Sequence, residues 1–135
     1  MQLSRVANLL PDSFGLFRYA SQQVSIAATG DALNFSIPVG QFTLRKIRVR
    51  SPSASVSGAA LGIWTAASQG GTNIVANATL SNLTGVLTYQ EMTLTSAANS
   101  TILTSATSFY VNVGTGSAGN TVFIDFYGDA IPGQL

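Results

Sequence analysis

The chain contains no cysteine and no histidine. Without cysteine there are no disulfide bonds and no thiol nucleophile, and without histidine there is no imidazole to act as a catalytic base. Together the two absences exclude zinc sites built from Cys or His ligands. Because only five carboxylates remain for acid–base chemistry, we expect a protein that is not an enzyme and that binds no cofactor and no metal.

Charge is scarce as well. Six Lys or Arg and five Asp or Glu make up 8% of the 135 residues, whereas an average globular protein has about 25%. The formal net charge of +1 gives little repulsion between copies. Ser and Thr, 30 residues together, take the place of the missing charges. Such a surface is either a neutral coat of hydroxyl and amide groups or a surface that packs against other chains, and we favour the second interpretation.

Long apolar runs are also absent. The N-terminal segment lacks the continuous apolar block and the small-residue cleavage site of a secretory signal. No stretch of the sequence reaches the roughly 18 apolar residues of a membrane span. We therefore expect no membrane partner, and the absence of cysteine fits synthesis in a reducing cytoplasm.

Residues 1–22 differ in pattern from the rest of the chain. The first ten residues carry apolar side chains at the spacing of one helix face, and Pro11 ends that pattern. A dense aromatic segment without a clear period follows. We interpret residues 1–22 either as a strap over one end of the core or as an arm that packs on a neighbouring subunit, because irregular apolar segments need burial in both cases. The contact residues predicted for this arm are Leu3, Val6, Leu10, Phe14, Phe17 and Tyr19.

Residues 23–135 contain about eight short strands, separated by turn-forming residues, and no helix is predicted among them. This pattern is typical of an antiparallel sandwich or barrel. Eight strands fit a jelly roll, while an immunoglobulin-like order stays open because periodicity does not give strand order. We predict an all-β fold: an antiparallel jelly-roll sandwich of about eight strands over residues 23–135, with an N-terminal arm over residues 1–22.

The clearest strand, residues 41–50, carries four of the six basic residues, Arg45, Lys46, Arg48 and Arg50. Its apolar positions change parity at Arg45 and Lys46, which predicts a β-bulge there. Lys46, Arg48 and Arg50 then share one face. Three interpretations stay open: a solvated outer face, a docking surface for a protein partner, and a phosphate-binding stripe. Nucleic acid is the least favoured partner, because no aromatic residue alternates with these charges.

Other chemical signals are weak. Asp125 and Asp129 are four residues apart, but no calcium-loop spacing surrounds them, and we expect Asp125 to pair with the basic strand instead. Residues 70–71 and 114–119 are rich in glycine, yet neither segment precedes a helix with a Lys, so both are predicted to be turns. Trp64 and the other aromatic residues of the strands are predicted to lie in the core rather than around a sugar.

Three segments resemble a known group of proteins. Residues 62–76 read Gly-Ile-Trp-Thr-Ala-Ala-Ser-Gln-Gly-Gly-Thr-Asn-Ile-Val-Ala, residues 123–129 read Phe-Ile-Asp-Phe-Tyr-Gly-Asp, and residues 46–49 read Lys-Ile-Arg-Val. An aromatic residue before Thr-Ala-Ala, a Gly-Gly-Thr turn and an Ile-Val strand resemble a recurrent pattern in small virion proteins of tailed bacteriophages. The resemblance covers residues 42–128, and residues 1–22 have no counterpart in it.

The resemblance implies a head cement or decoration protein with a jelly-roll fold, located on the virion capsid surface and made in the bacterial cytoplasm. Its expected partners are the major capsid protein, whose neighbouring subunits it clamps, and further copies of itself, with a trimer favoured over a dimer. We expect the arm and the basic strand to contact the capsid, without direct contact to nucleic acid. The alternative is a receptor- or glycan-binding β-sandwich of a phage tail fibre or spike, which predicts an exposed aromatic platform such as one at Trp64.

Overall fold

The computed structural model describes residues 17–131, in which the chain forms nine strands and one short helix. The elements, in chain order, are β1 (Phe17–Ser25), β2 (Gly30–Ser36), β3 (Gln41–Arg50), β4 (Ala60–Ala66), β5 (Gly70–Thr79), β6 (Tyr89–Met92), α1 (Ser96–Ser100), β7 (Leu103–Thr104), β8 (Ser108–Thr115) and β9 (Thr121–Ala130). In this part of the chain no helix has the length and apolar character needed to cross a membrane. The dominance of strands confirms the prediction of an all-β fold.

The strands form two antiparallel sheets. One sheet has the order β1-β9-β3-β6, with β7 also paired to β3, and the other has the order β2-β8-β4-β5. With the two-residue β7 set aside, the first strand pairs with the last, the second with the second last, and so on inward to β4 with β5. This nested pairing is the strand order of a jelly roll rather than of an immunoglobulin sandwich.

Alternating side chains of both sheets fill the space between them. Val122, Ile124 and Phe126 of β9 are fully buried, which confirms the alternation predicted for this strand. Phe126 is the centre of an aromatic cluster, with its ring centroid 5.2 Å from that of Phe109 and 5.0 Å from that of Phe35. These rings join β2, β8 and β9, so the core fixes the two sheets against each other and leaves their outer faces for other contacts.

The β-bulge predicted at Arg45 and Lys46 is present. Between β3 and β9 the register passes from Leu44 opposite Gly128 to Lys46 opposite the preceding residue of β9, so Arg45 is the extra residue. Gly128 permits the close approach of the two strands here, because a Cβ at this position would overlap the carbonyl oxygen of Thr43. The bulge thus shifts the following basic residues of β3 onto the outer face.

The prediction that no helix follows residue 22 was wrong. Residues 97–100, predicted to be a loop, belong to α1, a helix of five residues. Thr95 caps its N-terminus, because its hydroxyl accepts a 3.2 Å hydrogen bond from Ala98 N. One turn of helix is too short to show a 3.6-residue period, which is why the pattern did not reveal it.

The predicted N-terminal arm overlaps the first strand. Residues 17–22 of that arm are the first six residues of β1, which pairs with β9. A register shift between Arg18 and Ala20 interrupts the alternation of β1 and explains why the segment shows no clear period. Two of the predicted arm contacts, Phe17 and Tyr19, are therefore part of the sheet. The other four, Leu3, Val6, Leu10 and Phe14, lie outside the described residues.

Candidate functional site

The basic residues of β3 lie on the outer face of the five-stranded sheet, as predicted. Ile47 and Val49 are fully buried, so the alternating residues Lys46, Arg48 and Arg50 point outward. Because β3 lies between β9 and β6, side chains of one or both of those strands lie beside its basic residues. The chemistry of this face therefore depends on the outward-facing side chains of β6 and β9.

Asp125 of β9 forms the shortest ion pair of the described residues. Arg50 Nε donates to Asp125 Oδ2 at 2.6 Å, and Arg50 Nη2 donates to Asp125 Oδ1 at 3.4 Å and to Ser21 Oγ at 3.2 Å. Asp125 is only 1% exposed. The two-point contact with Arg50 offsets most of the desolvation cost of burying this carboxylate. The prediction that Asp125 pairs with the basic strand is confirmed.

Glu91 of β6 neutralises two further cations of β3. Its Oε2 lies 3.2 Å from Arg48 Nη2 and 3.3 Å from Lys46 Nζ. The hydrogen bond from Arg48, and after it that from Lys46, holds the pKa of Glu91 below its ordinary value. At the bulge, Arg45 Nε donates to Asp129 Oδ2 at 2.7 Å. Each of the four cations predicted to contact the capsid thus forms an ion pair with a carboxylate of its own chain.

Aromatic rings cover the faces of two of these guanidinium groups. The central carbon of Arg48 lies 4.8 Å from the ring centroid of Tyr89 and 5.7 Å from that of Tyr127, and the Arg50 carbon lies 4.9 Å from the centroid of Phe123. The rings belong to β6 and β9, so the sequence of β3 alone gave no sign of them. Pairing and stacking occupy part of the donor capacity of each guanidinium group, while Arg48 Nε is buried with no hydrogen-bond partner among residues 17–131.

Charge is distributed unevenly over the molecule. The described residues carry nine charged side chains, of which eight belong to the five-stranded sheet and seven form the ion pairs above. The ninth is Asp31 of β2. Between residues 51 and 124 Glu91 is the only charged residue, and the loops within residues 17–131 have none. The other sheet and the loops at both ends therefore present mainly hydroxyl, amide and apolar groups.

Asp31 holds the turn between β4 and β5. Its two carboxylate oxygens each accept a 2.8 Å hydrogen bond, one from Ser68 N and one from Asn112 Nδ2. Gln69 Nε2 donates to Asn112 Oδ1 at 3.0 Å, so the turn is also tied to β8. The hydrogen bonds from Asn112 and Ser68 lower the pKa of Asp31. The one charge of the four-stranded sheet thus has a structural partner on each oxygen.

A second candidate surface lies on the loop between β5 and β6 and on the first residue of β6. Val86 is 55% exposed, Leu87 95% and Tyr89 57%, and we call these three residues the apolar patch. They are adjacent to an open groove of about 810 Å³. Ile102, 53% exposed, is a further large apolar residue on the surface and precedes β7 at the other end of β3. The sequence pattern predicts a strand over residues 86–94 with Leu87 and Tyr89 among its apolar positions, but the strand begins only at Tyr89, so Val86 and Leu87 lie on the loop.

The prediction that Trp64 lies in the core was wrong. Its ring packs across Gly62 on the outer face of the four-stranded sheet, where a Cβ on Gly62 would come within 2.6 Å of two ring carbons. Trp64 is half-buried by this contact. Phe109 and Phe126, which the same prediction placed in the core, are fully buried there.

Among residues 17–131 there is no group of three Asp, Glu, His or Cys side chains that could hold a metal ion. Comparison of the chain with protein-family models, curated proteins and solved structures found no match in any of the three. The functional argument therefore depends on the surface that the described residues present.

Proposed function

We propose that the protein is a structural component of a phage particle: a cement or decoration protein that binds the capsid surface and clamps neighbouring major capsid subunits. In this proposal it has no enzymatic activity and acts as a homo-oligomer, with a trimer favoured over a dimer. The sequence pattern of residues 62–76 supports the proposal. A rigid sandwich with two unlike outer faces also suits a protein that covers a surface.

The concentration of charge on one sheet, which holds eight of the nine described charged residues, is the observation that carries the proposal. Charges on all sides keep the copies of a soluble protein apart. In this molecule the four-stranded sheet and the loops can be buried against other chains with few ions to remove from water, so docking avoids most of the desolvation cost of buried charge. The charged face remains available to face the solvent.

The clamp proposed here works through several modest contacts. Each uncharged surface gains stability from packed area rather than from ion pairs. An oligomer that touches several capsid subunits at once raises the effective concentration of every further contact, so its total affinity exceeds that of a single one. A clamp that spans adjacent subunits then opposes their separation under the pressure of packaged DNA.

The predicted capsid contact through the basic strand stays a prediction. Arg45, Lys46, Arg48 and Arg50 each have a carboxylate partner within 3.3 Å. An acidic capsid surface that docked there would have to replace these ion pairs with new ones. The binding free energy would therefore be smaller than for docking on unpaired cations. We therefore place the principal docking surface on the uncharged sides of the molecule.

Co-sedimentation of the purified protein with empty phage heads that lack it tests the proposal. We expect saturable binding at a fixed number of copies per head. We also expect the heads to break at a higher temperature, because bound copies stabilise the intact shell. Heads of an unrelated phage serve as the control. Failure to bind its own heads at any concentration would overturn the proposal.

The salt dependence of that binding distinguishes the docking surfaces. Contact through uncharged surfaces keeps its Kd nearly constant between about 0.05 and 0.5 M NaCl, whereas contact through the basic strand weakens roughly tenfold or more as the charges are screened. The variant Lys46→Gln/Arg48→Gln/Glu91→Gln removes two cations together with their carboxylate, and Glu91→Gln alone is its control. We expect both variants to bind like the wild type.

The alternative function, glycan or receptor binding in a tail fibre or spike, needs an exposed aromatic platform. Trp64 is half-buried over Gly62 and offers a reduced surface for stacking on a sugar. Tyr89 is 57% exposed, but the guanidinium of Arg48 covers one face of its ring. Saturable binding to a glycan array, together with no binding to heads, would favour this alternative.

A further inference from the structure

The groove between the β5–β6 loop and β6 has a mainly polar lining. It encloses about 810 Å³, and hydroxyl and amide side chains of residues 81–90 form most of its wall. Among the described residues that line it, Glu91 is the only charged one and Tyr89 the only aromatic one. A concave surface on which a few polar groups converge around an aromatic ring is typical of a ligand-binding site.

Tyr89 offers one face of its ring to a ligand. The guanidinium of Arg48 lies over the other face, 4.8 Å from the ring centroid, and the residue is nevertheless 57% exposed. Arg48 does not line the groove, whereas Tyr89 does. Since Glu91 holds Arg48 by an ion pair and Arg48 supports the ring, the open face has a fixed position before any ligand binds. The C–H groups of a sugar ring carry partial positive charge and pack on such an aromatic face.

Exposed polar groups of the loop lie along the same groove. The side chains of Ser81, Asn82 and Thr84 line it and are exposed. Gln90 fixes this part of the loop, because its Oε1 accepts a 2.9 Å hydrogen bond from Asn82 N and its Nε2 donates one of 2.9 Å to Thr79 O. The hydroxyl and amide groups therefore stand on a rigid support, so their hydrogen bonds to a ligand cost little conformational entropy.

Charge defines the class of ligand that fits. Residues 51–90 carry no charge, and no Lys or Arg is among the described residues that line the groove, so a sialylated, sulfated or phosphorylated ligand has no counter-ion there. Lys46 and Arg48 make their shortest contacts with Oε2 of Glu91, which leaves Oε1 to accept a hydrogen bond. A neutral sugar, which has an apolar C–H face and a ring of hydroxyl groups, matches both the aromatic ring and the polar wall.

We propose that this groove binds a neutral oligosaccharide, with one sugar ring stacked on Tyr89 and its hydroxyl groups bonded by Asn82 and Glu91. The site goes beyond the proposed function and does not rest on it. Its strand, β6, is an edge of the five-stranded sheet, whose outer face the proposed docking leaves to solvent. A copy that docks on a capsid through the four-stranded sheet therefore keeps the groove accessible to glycans outside the particle.

An oligosaccharide array, followed by titration calorimetry of the members that bind, tests the proposal on the full chain. The array holds neutral oligomers of glucose, galactose, mannose and N-acetylglucosamine beside sialylated and sulfated ones. We expect saturable binding of neutral members with a Kd of about 0.1–1 mM. Tyr89→Ala weakens this binding at least about tenfold because the stacking face is lost, whereas Tyr89→Phe retains it. Ile102→Ala, the matched control, removes another exposed apolar side chain outside the groove and binds like the wild type.

Thermal melting shows whether the variants are folded. Asn82→Ala removes an exposed amide from the groove and also weakens binding, so it replaces Tyr89→Ala if that variant does not fold. Three results would overturn the proposal: no neutral oligosaccharide bound at up to about 10 mM, binding of acidic members alone, or folded groove variants that bind like the wild type. Co-sedimentation with heads reports the proposed function separately. Protein that binds heads but no glycan refutes only the glycan site, and protein that binds a neutral glycan through Tyr89 but no heads refutes only the capsid role.

Discussion

At the scale of single residues, burial distinguishes two ion pairs that have nearly the same shortest N–O distance. Arg50 and Asp125 meet at 2.6 Å with the carboxylate 1% exposed, whereas Arg45 and Asp129 meet at 2.7 Å with side chains 62% and 35% exposed. Water solvates the exposed pair in both the folded and the unfolded state, so it stabilises the fold little. Removal of Arg50, by contrast, leaves a buried carboxylate without its cation.

Arg50→Met is therefore expected to lower the free energy of unfolding by about 2–3 kcal/mol. Arg45→Met, its matched control, is expected to lower it by less than about 1 kcal/mol. The double variant Arg50→Met/Asp125→Leu should recover part of the loss, because it leaves no unpaired ion. Urea unfolding at neutral pH gives the free energy of unfolding of all three variants. Equal losses of this free energy in Arg50→Met and Arg45→Met would contradict the role of burial.

Gly128 is a second residue whose identity the fold fixes. A Cβ here would overlap the backbone carbonyl of Thr43, which cannot move aside as a flexible side chain could. We expect Gly128→Ala to destabilise the protein by about 3 kcal/mol or more. Gly58→Ala is the control, since a Cβ there meets nothing within 4 Å, and its effect should stay within about 0.5 kcal/mol. Thermal melting compares the two, and a stable Gly128→Ala protein would show that β3 and β9 separate easily at the bulge.

At the scale of elements, the turn between β4 and β5 depends on a strand that is remote in sequence. Ser68 and Gln69 have φ of 55° and 62°, a backbone conformation that favours glycine or asparagine. The carboxylate of Asp31 in β2 accepts a hydrogen bond from this turn and another from β8. One carboxylate thus joins three elements and helps to hold an unfavourable turn in place.

This network makes stability depend on pH. The pKa of Asp31 is lowered in the folded state, so its contribution to stability is fully present above the unfolded pKa of about 4 and is lost as the pH falls through the lower pKa of the folded state. We expect Asp31→Asn to lower the urea midpoint at pH 7, and the difference from wild type to narrow as the pH falls towards about 3. If the difference in urea midpoint between Asp31→Asn and wild type stayed constant from pH 7 to about 3, the charge of Asp31 would contribute nothing to stability.

Elements whose alternation is uninterrupted could be predicted from sequence. The buried residues Val122, Ile124 and Phe126 of β9 follow a two-residue period, because every second side chain of a strand faces the core. The bulge in β3 could be predicted for the same reason, since an extra residue shifts that period. The aromatic residues at the start of β1 were assigned to an arm because a bulge there hides the period.

The partners of the candidate site could not be predicted in the same way. Glu91 meets Arg48 only because β6 pairs with β3, a contact between residues 43 positions apart in the chain. Local patterns contain no information about such pairings. The exposure of Leu87 could not be predicted either: the pattern of residues 86–94 predicts a strand that includes Leu87, but the strand begins only at Tyr89 and the loop before it sets the direction of Leu87.

At the scale of the whole molecule, the jelly roll places two unlike faces back to back. The outer face of the five-stranded sheet carries paired and stacked charges, and the rest of the described surface carries Asp31 alone. Charge is grouped in this way because eight of the nine described charged residues fall in β1, β3, β6 and β9, which the fold brings into one sheet. The molecule therefore has a built-in polarity, which suits a protein that faces solvent on one side and other chains elsewhere.

The part of the chain that precedes β1 offers the last test, and the fold decides where the cut must be made. Removal of residues 1–16 leaves all nine residues of β1, so we expect a folded sandwich with nearly wild-type melting. Removal of residues 1–22 also deletes six residues of β1, including Tyr19, whose ring lies 5.6 Å from that of Phe42 in the core. This longer truncation is expected to cost at least about 3 kcal/mol, as the loss of a large aromatic contact typically does.

The shorter truncation separates a docking role from a folding role. If residues 1–16 contact the capsid, the truncated protein melts like the wild type but binds empty heads at least about tenfold more weakly, a loss of about 1.4 kcal/mol. If it binds heads as the full chain does, the predicted arm contacts at Leu3, Val6, Leu10 and Phe14 are wrong, and docking belongs to the sandwich.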